Sequence, residues 1–216
     1  MKKLMCMCVF ILSLSQIFSE GRSSFEENPI RKIRLAKELA EYGYETESPT
    51  ALLEAAEILA EVNVRKSAIK AVQTGTPSKA AEENQFSLDA KTLFADAKDF
   101  AGNDKTYAEW IKKIERTFSG KRGAARGPLA VEGFAYGNDG SASYTISFTN
   151  GESAQIYVAA MTGSNLDVDI YDSDGKSVVT GKGNDTIQFV PENAKSYTIQ
   201  VKNRTSSTVS YTLYTD

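Results

Sequence analysis

The side chains with the most chemical potential are four aspartates packed into a short stretch: Asp167, Asp169, Asp172 and Asp174. Leu166, Val168 and Ile170 alternate with Asp167, Asp169 and Tyr171, so the spacing predicts a strand with the first set facing a core and the second facing out. Asp172 and Asp174 then fall in the following turn. Four carboxylates this close repel one another, and an oxygen-preferring cation such as Ca²⁺ relieves that repulsion. The spacing differs from the EF-hand loop, and the same pattern also describes a solvated strand face followed by an Asx turn. Asn138, Asp139 and Asp185, in neighbouring turns, become additional ligands only if the fold brings them close. Glycoside hydrolysis also uses two carboxylates, but it needs a cleft that holds them about 5–10 Å apart across a sugar. One open strand face offers no such cleft.

Other chemistries are removed by composition. The 216 residues contain no histidine, and the only cysteines are Cys6 and Cys8. Ser-His-Asp and Cys-His systems, His-ligated zinc and the His-Glu-x-x-His helix therefore cannot be assembled. Ser67-Ala68-Ile69-Lys70 matches the S-x-x-K pattern of penicillin-recognising enzymes, but the Lys-Thr-Gly strand those enzymes also need is missing. Tyr136, Tyr157, Tyr171 and Tyr214 are candidates for stacking on a glycan, although tyrosine is also an ordinary strand residue.

The elements that must position these residues follow a clear order. Residues 1–19 read as a signal peptide: Met1-Lys2-Lys3 is a basic start, Leu4 to Leu14 is apolar, and Ser13, Ser15 and Ser19 are small. The apolar run is too short to span a bilayer. Met5 and Met7, preceding the two cysteines, argue against lipidation. The exported chain expected after cleavage has no cysteine, no disulfide and no membrane span, and works in the periplasm, at the cell surface or in the medium. Residues 20–126 carry 18 Lys/Arg and 18 Asp/Glu, whereas residues 127–216 carry 5 and 10. An acidic second half opposes binding to nucleic acid.

Residues 20–120 read as an all-α domain of about four helices in hairpins. Asn28-Pro29 and Ser48-Pro49 are helix starts, with Gly43 expected to end the first helix. Ser87 is the expected cap of the third helix and Gly102 its end. In the fourth, Tyr107, Trp110, Ile111, Ile114 and Phe118 form one apolar face, with Trp110 expected in the core. Asn63 to Gln85 reads as a mobile connection. Lys121 to Pro128 reads as an exposed linker.

After Pro128 the period changes from 3.6 to 2. Residues 129–216 read as an antiparallel, jelly-roll-like sandwich of about eight strands: Leu129–Tyr136, Ser143–Phe148, Ala154–Met161, Leu166–Tyr171, Lys176–Thr180, Thr186–Val190, Tyr197–Val201 and Thr208–Tyr214. Turn signals separate them, among them Asn150-Gly151 and the hairpin turn Asp174-Gly175. The order Asn150-Gly151-Glu152, Leu166 to Asp172, Asp174-Gly175-Lys176, Tyr197 to Val201 and Tyr211-Thr212-Leu213 resembles the bacterial pre-peptidase C-terminal domain, a module found at the ends of secreted proteins. Asn193-Ala194-Lys195-Ser196 stands where that pattern has a glycine before Tyr197, and nothing upstream resembles a peptidase. The whole layout looks like uncharacterised secreted bacterial proteins that carry such a module.

Three functions are compatible with these features. The leading one is a non-enzymatic exported binding or structural module whose sandwich engages a protein or glycan of the cell envelope or exterior, with calcium assistance where the four aspartates gather. An accessory or inhibitory component of an exported hydrolase system is the second, and a carboxylate-based hydrolase is the last.

Overall fold

The computed structural model of the chain describes residues 28–77, 88–120, 127–192 and 196–216. The signal-like residues 1–19, Ser87 and residues 121–126 of the expected linker lie outside that set.

Helix α1 (Pro29–Glu45) begins where its sequence says it should: the Asn28 carboxamide accepts the Arg31 amide at 3.0 Å, and Pro29 occupies the first turn. It does not stop at Gly43. A Cβ there would come within 2.6 Å of Leu52, so the glycine allows close approach to α2 (Pro49–Val62). Ser48 caps α2 through the Ala51 amide, and Asn63 ends it in the left-handed region. Helix α3 (Ala90–Ala101) is capped by Asp89 rather than Ser87, with the carboxylate accepting the Lys91 and Thr92 amides at 3.1 and 3.2 Å. A 3₁₀ turn, Lys105–Tyr107, leads into α4 (Ala108–Gly120). Trp110 is partly buried against the helical core, and its indole N–H donates to Glu57 on α2 at 3.1 Å.

The expected connection at 63–85 carries two short strands, β1 (Arg65–Lys66) and β2 (Val72–Thr74). Eight more follow: β3 (Leu129–Ala135), β4 (Ser141–Ser147), β5 (Ala154–Ala160), β6 (Leu166–Tyr171), β7 (Ser177–Lys182), β8 (Thr186–Phe189), β9 (Ser196–Asn203) and β10 (Val209–Thr215). They form a jelly-roll-like sandwich of two five-stranded sheets. One sheet has the order β1-β3-β10-β5-β8 and the other β2-β4-β9-β6-β7. Strands of two and three residues have no readable period, which is why neither β1 nor β2 is visible in the sequence. Pro128, expected in an exposed linker, is buried, and its carbonyl accepts the Arg65 amide at 2.9 Å.

Between the sheets lies a core of alternating residues, including Val131, Ile156, Val158 and Leu213 from one and Val168, Ile170, Ile199 and Val201 from the other. Tyr144 and Tyr211 reach across it, and their hydroxyls hydrogen-bond at 2.9 Å. Gly133 makes room for this pair, since a Cβ there would lie 2.0 Å from the Tyr144 hydroxyl. A second core lies outside the first sheet. Ala130, Tyr157, Ala159 and Tyr214 pack there against Ile30, Ile33, Leu52, Leu59, Leu93 and Ile114 of the helices. The molecule is thus layered as helices, covered sheet and open sheet.

The side chains that join helices to sheet are specific. Lys37, only 4% exposed, pairs with Glu41 at 2.8 Å, and Glu41 accepts both the amide (2.7 Å) and the hydroxyl (2.8 Å) of Thr162 after β5. The Asn28 carboxamide donates to Gln155 at 3.2 Å.

Two outcomes follow from this packing. Gly133→Ala should lower unfolding free energy by about 1–3 kcal/mol in urea titrations, because it forces the tyrosine pair apart. Tyr144→Phe should cost only about 1 kcal/mol. A chain cut by a site-specific protease within residues 121–126 should still elute from a sizing column as one particle, held by β1, β2 and the shared core. Elution as two separate fragments would mean that these contacts do not hold the halves together.

Candidate functional site

The four aspartates lie on the open sheet and its hairpin, but they do not converge. Among the described residues no group of three or more acidic side chains is placed to hold a metal ion. Asp167 and Asp169 share the outer face of β6, as their alternation requires. The strand register then sets cations against Asp167. Lys182 on β7 is its direct cross-strand partner and ion-pairs with it, and the Arg204 Nε donates to it at 2.5 Å. Arg204 also bonds Asp139 at 2.5 Å through Nη1, and the Lys202 Nζ lies 3.7 Å from Asp139, so two acids and three cations form one linked group. The Lys182 hydrogen bond is the largest effect, and with the Arg204 bond and the two cationic charges it outweighs burial and holds the Asp167 carboxyl below the ordinary carboxylate range.

Asp172 is occupied by the turn itself. Its carboxylate accepts the amides of Asp174 and Lys176, each at 2.9 Å, and Gly175 takes a positive φ of 79°. A shallow cavity of about 240 Å³ beside this hairpin is lined by Asp174, Lys176, Glu192 and Tyr197. The candidate glycan-stacking tyrosines also separate. Tyr157 and Tyr214 are buried under the helices, stacked at 6.3 Å between ring centroids, and only Tyr136 and Tyr171 keep partial exposure. The covered sheet accounts for this, because it needs apolar groups on both faces. Among the described residues the outer face of the open sheet therefore carries one aromatic, Tyr171 on β6, and no stripe.

A larger concavity lies where α2 ends, α3 begins and β1 leaves the covered sheet. It encloses about 900 Å³, within the range typical of ligand sites. Leu59, Val64, Ile69, Leu88, Ala130 and Tyr214 supply apolar surface, and the Tyr214 hydroxyl donates to the Leu88 carbonyl at 3.2 Å.

Its polar groups are ordered. The Lys66 Nζ lies 3.3 Å from both Asp89 and Glu132, tying β1 to α3 and β3. Burial alone would raise the Asp89 carboxyl, but the Thr92 and Lys91 amides and the Lys66 charge outweigh it and hold it low. Burial likewise opposes the Lys66 charge, and its two carboxylates more than offset that, holding its pKa above the ordinary lysine value. Lys70 and Lys91 line the same groove, and neither forms a side-chain ion pair among the described residues. Ser67 and Lys70 of the S-x-x-K match both border the groove, yet the Ser67 hydroxyl accepts the Ile69 amide at 3.2 Å and no hydrogen bond joins it to Lys70. The sequence reading did not find this groove, because its walls come from four segments that only the fold brings together.

No family model matches the chain, and no curated protein matches it. Solved structures similar to it include the Yersinia pseudotuberculosis-derived mitogen, at 13% identity over 41% of this chain and 83% of that one, with a TM-score of 0.37. A second is PliG of Aeromonas hydrophila, a periplasmic inhibitor of g-type lysozyme, at 16% identity over 41% and 84%, TM-score 0.36. A third is the pre-peptidase C-terminal domain of a Bacillus anthracis collagenase, at 17% identity over 40% and 87%, TM-score 0.34. This last is the domain class that residues 150–213 resemble in sequence.

The charge group at Asp167 has a pH signature. Its folded pKa is depressed, so its stabilisation is fully present above the ordinary aspartate value of about 3.9 and is lost as pH falls through the folded value. Asp167→Asn should therefore melt below the wild type at neutral pH, and the two melting curves should converge below about pH 4. A gap in melting temperature that stays constant down to pH 2 would show that the Lys182 and Arg204 pairs do not stabilise the fold.

Proposed function

We propose that the chain is an exported, non-catalytic binding module that receives an extended segment of a partner protein in the groove between α2, α3 and β1. The observation that carries this reading is the groove itself: an apolar floor with charged groups at its edge. Sites of this size and lining hold ligands by burying apolar groups and use a few fixed polar groups for orientation. The basic, apolar, small-residue order of residues 1–19 supports export, and among the described residues no helix is long and apolar enough to cross a membrane. The absence of histidine from the sequence, together with the mutual pairing of Lys66, Asp89 and Glu132, leaves the groove without an evident general base beside a nucleophile.

The test is selection of linear peptides from a random display library on the full chain. Ala68 is exposed at the groove edge, so Ala68→Trp should fill the opening while leaving the melting temperature within a few degrees of wild type. Selected peptides should bind wild type, lose about tenfold or more in affinity for Ala68→Trp, and bind Asp169→Arg on the open sheet unchanged. Failure to enrich any binder, or binders indifferent to Ala68→Trp, would remove the groove as the site.

A further inference from the structure

One wall of the groove is formed by residues 66–70, which begin on the edge strand β1. Strand β1 is the edge of the covered sheet, and it pairs in parallel with β3 through Arg65↔Leu129 and Lys66↔Ala130. The Arg65 amide donates to Pro128 at 2.9 Å and the Ser67 amide to Ala130 at 2.8 Å. Residues i and i+2 of a strand direct their backbone groups to one side, so the N–H and C=O of Lys66 point the other way. Among the described residues, neither of these Lys66 groups nor the Ala68 amide has a backbone partner. Lys66, Ser67, Ala68, Ile69 and Lys70 all border the groove. An edge strand that opens beside an apolar groove is the arrangement that accepts an added strand: main-chain bonds supply affinity, and alternate side chains enter the groove.

Charge selects the kind of strand. The groove lining carries Lys66, Lys70 and Lys91 against Asp89 and Glu132, one positive charge in excess, and Lys70 and Lys91 are the cations outside the Lys66 cluster. Resting on the reading that this groove is the binding site, we propose that its occupant binds as an extended β-strand added at the outer edge of β1. The side chains that enter the groove are apolar, and those that meet Lys70 and Lys91 are acidic. The occupant is thus an acidic, apolar-alternating peptide segment of a partner protein.

The probes are synthetic peptides of about eight residues taken from the selection above, each remade as a series with a single N-methylated amide at every position. The Lys66 carbonyl is the free acceptor of this short edge, so N-methylation should cost about tenfold or more at the ligand amide that pairs with it and little at the two adjacent amides. The same peptides should carry acidic residues, weaken on Lys70→Glu/Lys91→Glu, and lose affinity as salt rises. Peptides that need an open groove, judged by Ala68→Trp, yet tolerate N-methylation everywhere or lose binding with a spacing of three to four, would overturn strand addition and leave the groove standing. Peptides unaffected or strengthened by Lys70→Glu/Lys91→Glu would overturn the charge assignment. Peptides indifferent to Ala68→Trp would remove both the groove and the added strand.

Discussion

Strands β5 and β10 are dehydrated on both faces, and most of the architecture follows from that. From Ile156 to Ala160 every residue of β5 is buried, and so is every residue of β10 from Tyr211 to Thr215. A strand with one wet face alternates apolar and polar residues, whereas one covered on both sides must be apolar or hydrogen-bonded on both. Ile156, Val158 and Leu213 serve the inner core, while Tyr157, Ala159 and Tyr214 serve the helices. The two covers are interdependent. Without the helices two tyrosines would face water, and without the sheet Ile30, Ile33 and Leu52 would have no surface to bury against. Ala130 and Ala159 are small, which suits close packing of helices on a sheet. Burial drives the Tyr157 and Tyr214 hydroxyls well above the ordinary tyrosine pKa, so both remain neutral in their dry layer.

The route of the chain out of α2 solves a second problem of sheets, their edges. Residues 65–74 run along one side of the sandwich, pairing first with β3 in the covered sheet and then with β4 in the open one. A segment from the helical half therefore covers the edges of β3 and β4 and becomes the new edge of each sheet. The other end is guarded differently. The register of β6 against β7 jumps between Ile170 and Tyr171, leaving Val178 as an extra residue, and Lys176 and Lys182 flank it. A bulge and charged side chains are common means of discouraging unwanted strand pairing.

What the sequence reveals and what it hides divide along the range of the forces involved. Helix starts at Asn28 and Ser48 are legible because the caps act within three residues, and all eight strands from Leu129 onward are legible because alternation is local. The covered face is partly legible in retrospect: Tyr157 and Ala159 occupy the parity that an open strand would fill with polar groups. Register is another matter. The face shared by Asp167 and Asp169 can be read from spacing, but that Lys182 and Arg204 meet Asp167 depends on pairings 15 and 37 residues away. A metal reading based on four nearby carboxylates does not see that step, in which Lys182 and Arg204 take up Asp167 and hairpin amides take up Asp172. The groove lies beyond local reading altogether, being the space left among α2, β1, α3 and β3.

That space exists because the helical cover ends before the sheet does. Along the outward face of β3, Ala130 is buried, Glu132 is exposed and Phe134 remains 39% exposed. A boundary between a dry interface and water needs polar groups that can be dehydrated on one side, and Lys66, Asp89 and Glu132 satisfy one another there. Asp89 has two duties: it caps α3 through two amides and holds Lys66 through its other oxygen. A serine or threonine would serve the first duty as well, since neutral oxygens cap helices effectively. Only an acid serves the second, because an uncharged cap would leave the exposed Lys66 ammonium paired with Glu132 alone. The residue that starts α3 is therefore also one that ties β1 to the helices beside the groove.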